Sequence, residues 1–139
     1  MTDIRTVSVI GMGYIGLPTC AIFAKSGLDV LGVDVNEDVV AKVNRGEIHI
    51  VEPELDGLIQ KMVETGKLKA YSKPQPADAH IIAVPTPFAD DHTPDLSFVM
   101  AAARSLAPVL KRGDLIILES TSPVGTTRNM TMLLAELRP

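Results

Sequence analysis

Apolar runs alternate with helical stripes along this chain. Residues 6–10 form a mostly apolar run, Thr6-Val7-Ser8-Val9-Ile10, suited to a strand buried on both faces of a parallel sheet. Residues 14–26 read as a first helix closed by Gly27, with Pro18 placed near its first turn, where a missing N–H is tolerated. A second strand is expected over 29–34. Asn36 is suited to cap the next helix, with Glu37 and Asp38 in its first turn, and Val39, Val40 and Val43 make its buried side. Leu55, Leu58, Ile59 and Met62 recur at helical spacing, and Gly66 stops that segment.

A short edge strand is expected over 67–72 and a strongly apolar one over 79–84, which Pro85-Thr86-Pro87 ends. Asp95 is placed to cap a further helix with the stripe Leu96, Val99, Met100, Ala103, Ala107 and Leu110. Residues 114–119 hold another buried strand, Leu115-Ile116-Ile117-Leu118. Thr126 or Thr127 starts a last helix with the stripe Met130, Leu133, Leu134 and Leu137. Strands alternating with helices predict an α/β protein: a Rossmann-type, doubly wound parallel sheet in three αβα layers. Five strands are expected, in the order 3-2-1-4-5, one fewer than the full six-stranded fold.

The first strand ends in Gly11-Met12-Gly13-Tyr14-Ile15-Gly16, a G-x-G-x-x-G turn opening a helix. Gly11 permits the tight turn, Gly13 leaves the backbone bare for a pyrophosphate, and Gly16 lets the helix lie close. The helix N-terminus adds N–H groups and partial positive charge. Asp34 closes the second strand 18 positions after Gly16, close to the spacing of a ribose-binding acid. A carboxylate there accepts from a 2′-OH and repels a 2′-phosphate, so the expected cofactor is NAD rather than NADP.

Two further loops fall at strand carboxyl ends, where open α/β sheets bind ligands. They are Pro85-Thr86-Pro87 and residues 120–127. Thr86 is open to two readings, a cofactor contact or a residue capping its own strand end. Thr126 and Thr127 read as helix N-caps or as part of an anion site, and the two are compatible.

Bulk properties narrow the rest. At 139 residues the chain suits one domain. Its net charge of −4 is spread without basic or acidic blocks, so no nucleic-acid partner is expected. No apolar run reaches the length of a membrane span, and Met1 to Arg5 lacks the form of a signal peptide. The lone Cys20 excludes an intrachain disulfide and fits a reducing cytoplasm. It reads as a small buried hydrophobe rather than a nucleophile. His49, His80 and His92 show no metal spacing, so no metal site is expected, and His80 at a strand start reads as structural.

With these loops assembled, the chain resembles the UDP-glucose/GDP-mannose dehydrogenase family. The matching residues are 11–18, the strand ending in Asp34, Val84-Pro85-Thr86-Pro87, and 119–126. Two connectors most resemble the branch acting on UDP-N-acetylmannosamine: residues 45–53, and Pro85 to Phe88 followed by Asp91-His92 and Pro94-Asp95. The resemblance implies oxidation of a UDP-sugar C6 alcohol to the uronate with two NAD, for surface polysaccharide biosynthesis.

By the same resemblance, Tyr14 and Ile15 contact the pyrophosphate through backbone N–H groups, Asp34 holds the adenine ribose, and Thr86 and Thr127 contact the cofactor. Thr121 would sit nearest the chemistry, positioning a water or an oxyanion. Residues 1–139 would be the N-terminal NAD-binding domain of a larger enzyme. The central helix, the C-terminal domain and the nucleophilic cysteine would lie beyond, so this part alone is expected to be inactive. The full-length enzyme would be a homodimer or higher homo-oligomer. A reading from another class is a self-standing NAD-binding or NAD-sensing module without catalysis.

Overall fold

The computed structural model describes residues 4–48, 54–85, 96–119 and 125–137. Among these residues there are five strands, β1 (Thr6–Ile10), β2 (Asp29–Val33), β3 (Leu68–Tyr71), β4 (Ala79–Ile82) and β5 (Leu115–Leu118). They form one sheet in the order β3-β2-β1-β4-β5, and every pairing is parallel. This is the doubly wound, Rossmann-type order expected from the alternation of strands and helices. The order reverses between β1 and β4, the place where such sheets take ligands.

Among the described residues five α-helices flank the sheet: α1 (Gly16–Lys25), α2 (Glu37–Asn44), α3 (Leu55–Glu64), α4 (Ser97–Leu106) and α5 (Thr126–Leu137). Val7 and Val9 of β1 pack with Leu17 and Cys20 of α1, Val43 of α2 and Ile59 of α3. Ile10 of the same strand joins Ile82, Val99 and Leu106 of the other layer, together with Met130 and Leu134 of α5. β1 is buried on both faces, Ser8 included, which fits the mostly apolar run at 6–10.

Local chemistry sets several boundaries. Asn36 caps α2 as expected, its side chain accepting from the Asp38 amide at 3.0 Å. Pro18 is the third residue of α1, where its missing N–H leaves little unpaired.

Four expectations are corrected. The helix expected from residue 14 begins at Gly16, after a turn that carries the glycine motif. Leu96, not Asp95, occupies the cap position of α4, and Asp95 lies outside the described residues. The stripe expected to continue to Leu110 leaves the α-helix at Leu106, and a 3-10 turn (Ala107–Val109) follows, because Pro108 cannot donate to the ladder. β5, expected to be buried, is an edge strand. Leu115 and Ile117, on one of its faces, are 45% and 41% exposed.

At the amino end of the sheet, polar groups tie the strands together. Asp78 accepts the amides of Arg5 and Thr6 at 2.9 and 3.1 Å. Lys111 Nζ lies 2.7 Å from Asp114 Oδ1, and His80 Nε2 lies 3.4 Å from Asp114 Oδ2. His80 is fully buried, as a structural residue would be. Burial pushes the His80 pKa below its ordinary value, and Asp114 offsets this only in part.

A depressed histidine pKa has a definite sign. The folded chain keeps His80 neutral where the unfolded chain already takes a proton. Its contribution is therefore complete above about pH 6.5 and is lost as pH falls toward the lower folded value. The expected slope is at most about 1.4 kcal/mol per pH unit. Urea midpoints measured between pH 8 and 5 should fall in this window, and the fall should shrink in His80→Gln. An equal slope in the variant would assign the effect elsewhere.

Candidate functional site: the carboxyl edge of β1 and β2

The glycine turn is shaped by steric exclusion. Gly11 has φ +99°, and a Cβ there would lie 2.6 Å from the Ala83 carbonyl oxygen. At Gly16 a Cβ would overlap the Gly11 carbonyl, so the third glycine seats α1 against the turn itself. At Gly13 the equivalent position has nothing within 4 Å. The chain is thus bare and open at the one glycine whose expected task is to admit a ligand.

Tyr14 and Ile15, the next two residues, are 70% and 50% exposed. The first amides of a helix have no carbonyl partner within it, so this end presents donors and positive potential. Leu17 closes the ladder by donating to the Gly13 carbonyl at 3.1 Å.

Asp34 stands beside this turn, half-buried. The Met12 amide donates to its Oδ2 at 3.0 Å and the Asn36 amide to its Oδ1 at 2.9 Å. Gly11 N–H donates to the Val33 carbonyl at 2.7 Å, which locks the turn to β2. Each carboxylate oxygen keeps a second acceptor site, so Asp34 is fixed in place and still able to receive hydroxyls.

Sequence reasoning did not find Met12 as part of the site. Its side chain is fully buried and fills the space where a Gly32 Cβ would sit, beside Cys20 Sγ. The available signal was Gly32 itself, since glycine inside a strand marks a close approach. Cys20 lies under the turn, and burial pushes its thiol up to about 12, so it is not a thiolate at neutral pH.

Thr127 is exposed in the first turn of α5, in the layer that packs against α4, and its carbonyl accepts from Thr131 Oγ1 at 2.9 Å. Its neighbour Thr126 is buried. Thr86 and Thr121 lie outside the described residues. Among the described residues no group of three or more His, Cys, Asp or Glu side chains is placed to hold a metal ion. Among them, too, no helix is long and apolar enough to cross a membrane.

The arrangement fits a dinucleotide: a bare, donor-rich turn for a diphosphate, and an oriented carboxylate one strand away for a ribose. Comparison with known proteins points the same way. Residues 5–138 match the family model described as "UDP-glucose/GDP-mannose dehydrogenase family, NAD binding domain". The chain is 63% identical over 135 residues to UDP-N-acetyl-D-mannosamine dehydrogenase of Yersinia pestis, covering 97% of this chain and 32% of that protein. It is 56% identical over 137 residues to NDP-N-acetyl-D-galactosaminuronic acid dehydrogenase of Ralstonia nicotianae, covering 99% and 32%. The solved UDP-N-acetyl-mannosamine dehydrogenase of Staphylococcus aureus superposes with a TM-score of 0.90 at 44% identity, over 95% of this chain and 33% of that one. The chain therefore spans about a third of the length of the curated relatives it matches.

Proposed function

The chain belongs to the UDP-glucose/GDP-mannose dehydrogenase family as its NAD-binding domain, and on that premise we propose that it is the cofactor-binding part of a larger cytoplasmic nucleotide-sugar 6-dehydrogenase. The whole protein would oxidise the C6 alcohol of a UDP-sugar to the uronate with two NAD, working as a homodimer or higher oligomer. The uronate would serve surface polysaccharide synthesis. The observation that carries this reading is Asp34, held by the Met12 and Asn36 amides beside a glycine turn that is open at Gly13.

Bound NAD supplies the hydride acceptor; the residues of this chain supply grip and orientation. The bare backbone at Gly13 and the amides of Tyr14 and Ile15 receive the diphosphate. Gly11 and Gly16 hold the turn in that shape. Asp34 accepts the adenosine ribose hydroxyls and disfavours a 2′-phosphate. Thr86 and Thr127 add cofactor contacts, and Thr121 supports the reacting end by positioning a water or an oxyanion. The nucleophile of the second oxidation belongs to another part of the polypeptide, since Cys20 is buried and protonated.

UDP-N-acetyl-D-mannosamine is the proposed sugar nucleotide. Its support is the pair of connectors at 45–53 and 85–95 and the names of the relatives cited above. The test is turnover. The whole protein, offered UDP-N-acetylmannosamine, UDP-N-acetylgalactosamine and UDP-glucose, should produce two NADH per sugar with the first. Residues 1–139 alone should bind NAD more tightly than NADP in calorimetry and produce no NADH. Preference for UDP-glucose would overturn the sugar assignment, and tighter NADP binding would overturn the role of Asp34.

A further inference from the structure

Glu119 follows β5 at the carboxyl edge of the sheet, the edge that carries the glycine turn and Asp34. Its amide donates to the Ile82 carbonyl at 2.9 Å, which extends the ladder one step past the strand. Its carboxylate reaches across to α1, where Thr19 Oγ1 lies 2.8 Å from Oε1. The Thr19 hydroxyl also lies 2.9 Å from the Ile15 carbonyl. A single hydroxyl proton serves one acceptor well, and the charged one is the stronger. Glu119 is therefore fastened to the first turns of the helix that begins at the diphosphate site.

Beneath this pair lies an apolar hollow of about 400 Å³, walled by Ile22, Phe23, Ile81 and Ile117. Glu119 is exposed beside this hollow, so its charge reaches the open edge of the sheet and is weakened by salt. Among the described residues no cation pairs with Glu119, and Thr19 is a neutral donor.

A doubly wound sheet offers two mononucleotide halves on either side of the strand reversal. Here the reversal lies between β1 and β4. The glycine turn and Asp34 occupy the β1–β2 half and account for the adenosine diphosphate. The β4–β5 half is left for the other nucleoside, and Glu119 is an acidic group at its edge. The nicotinamide ring is a cation in NAD+ and neutral in NADH, so a fixed negative charge in that half acts on one redox state and not on the other. We propose that Glu119, held in place by Thr19, is a specificity-determining residue that weights the cofactor site toward NAD+ over NADH. The proposal rests on the NAD-binding reading above. It would favour capture of the oxidised cofactor and release of the reduced one, as an enzyme that uses two NAD in succession requires.

The test is a ratio of affinities rather than a rate. Glu119→Gln keeps the size of the side chain and an oxygen to accept from Thr19, and removes the charge. Kd for NAD+ by calorimetry and for NADH by fluorescence, measured on the whole protein without sugar, should diverge. NAD+ should weaken about three- to tenfold at low salt while NADH stays level or tightens, and added salt should narrow the gap. Thr19→Val, which releases the carboxylate, should move the ratio part of the way, and Thr19→Ser should restore it. A common factor for both cofactors would make the pair a structural clamp and overturn the proposal, as would no change at all. If the wild type binds neither cofactor, the NAD reading itself fails; if it binds both and only Asp34→Ala alters them, the NAD reading stands and the role of Glu119 falls.

Discussion

Replacing Gly16 by alanine is expected to cost the fold more than about 3 kcal/mol, a large part of the roughly 5–15 kcal/mol that holds a domain together. The added methyl would overlap the Gly11 carbonyl, and backbone has no rotamer to yield. The turn must open or α1 must lift, and either move disturbs the contacts of Leu17 and Cys20 in the core. Urea unfolding should show the loss as a lowered midpoint. Gly13→Ala gives the contrast. Nothing lies within 4 Å of a Cβ at Gly13, so the midpoint should shift by less than about 1 kcal/mol. Its methyl would instead stand in the approach to the bare backbone, and NAD affinity should fall at least about tenfold, on the order of 1.4 kcal/mol. Intact NAD binding in Gly13→Ala would show that the diphosphate does not lie at this turn.

Asp34→Ala is expected to weaken NAD by about 1.5–3 kcal/mol, roughly tenfold to 150-fold, the range of hydrogen bonds to charged groups. Two losses combine. The ribose loses its acceptor, and the Met12 and Asn36 amides lose the carboxylate that fixes the turn against β2. Selectivity should change with affinity: NADP, no longer repelled, should lose less than NAD or gain. Asp34→Asn separates the two parts, because an amide oxygen can still accept one backbone N–H but carries no charge. Calorimetry with both cofactors on the three proteins gives the comparison. An unchanged NAD affinity in Asp34→Ala would remove Asp34 from the site.

Much of the scaffold was legible in local chemistry. The mostly apolar run at 6–10 could be read as a strand buried in a parallel sheet, and β1 has those bounds. Asn36 ahead of two acids could be read as a cap without any tertiary information, and it is one. The alternation of elements then left few topologies, and handedness selected among them. The reading of β5 failed for a tertiary reason. Leu115-Ile116-Ile117-Leu118 is as apolar as a central strand, yet its exposure depends on what lies over each face of β5, which no local pattern encodes.

The candidate site divides in the same way. The amino-acid sequence by itself determined the parallel sheet, the glycine turn after β1 and the acid after β2, because each follows from residue types at short separation. Only the tertiary structure decided that Met12 donates to a carboxylate 22 residues away, that its side chain needs the gap at Gly32, and that Glu119 and Thr19 meet across 100 residues. Such pairings are set by how helices and strands pack, and packing depends on the whole chain at once.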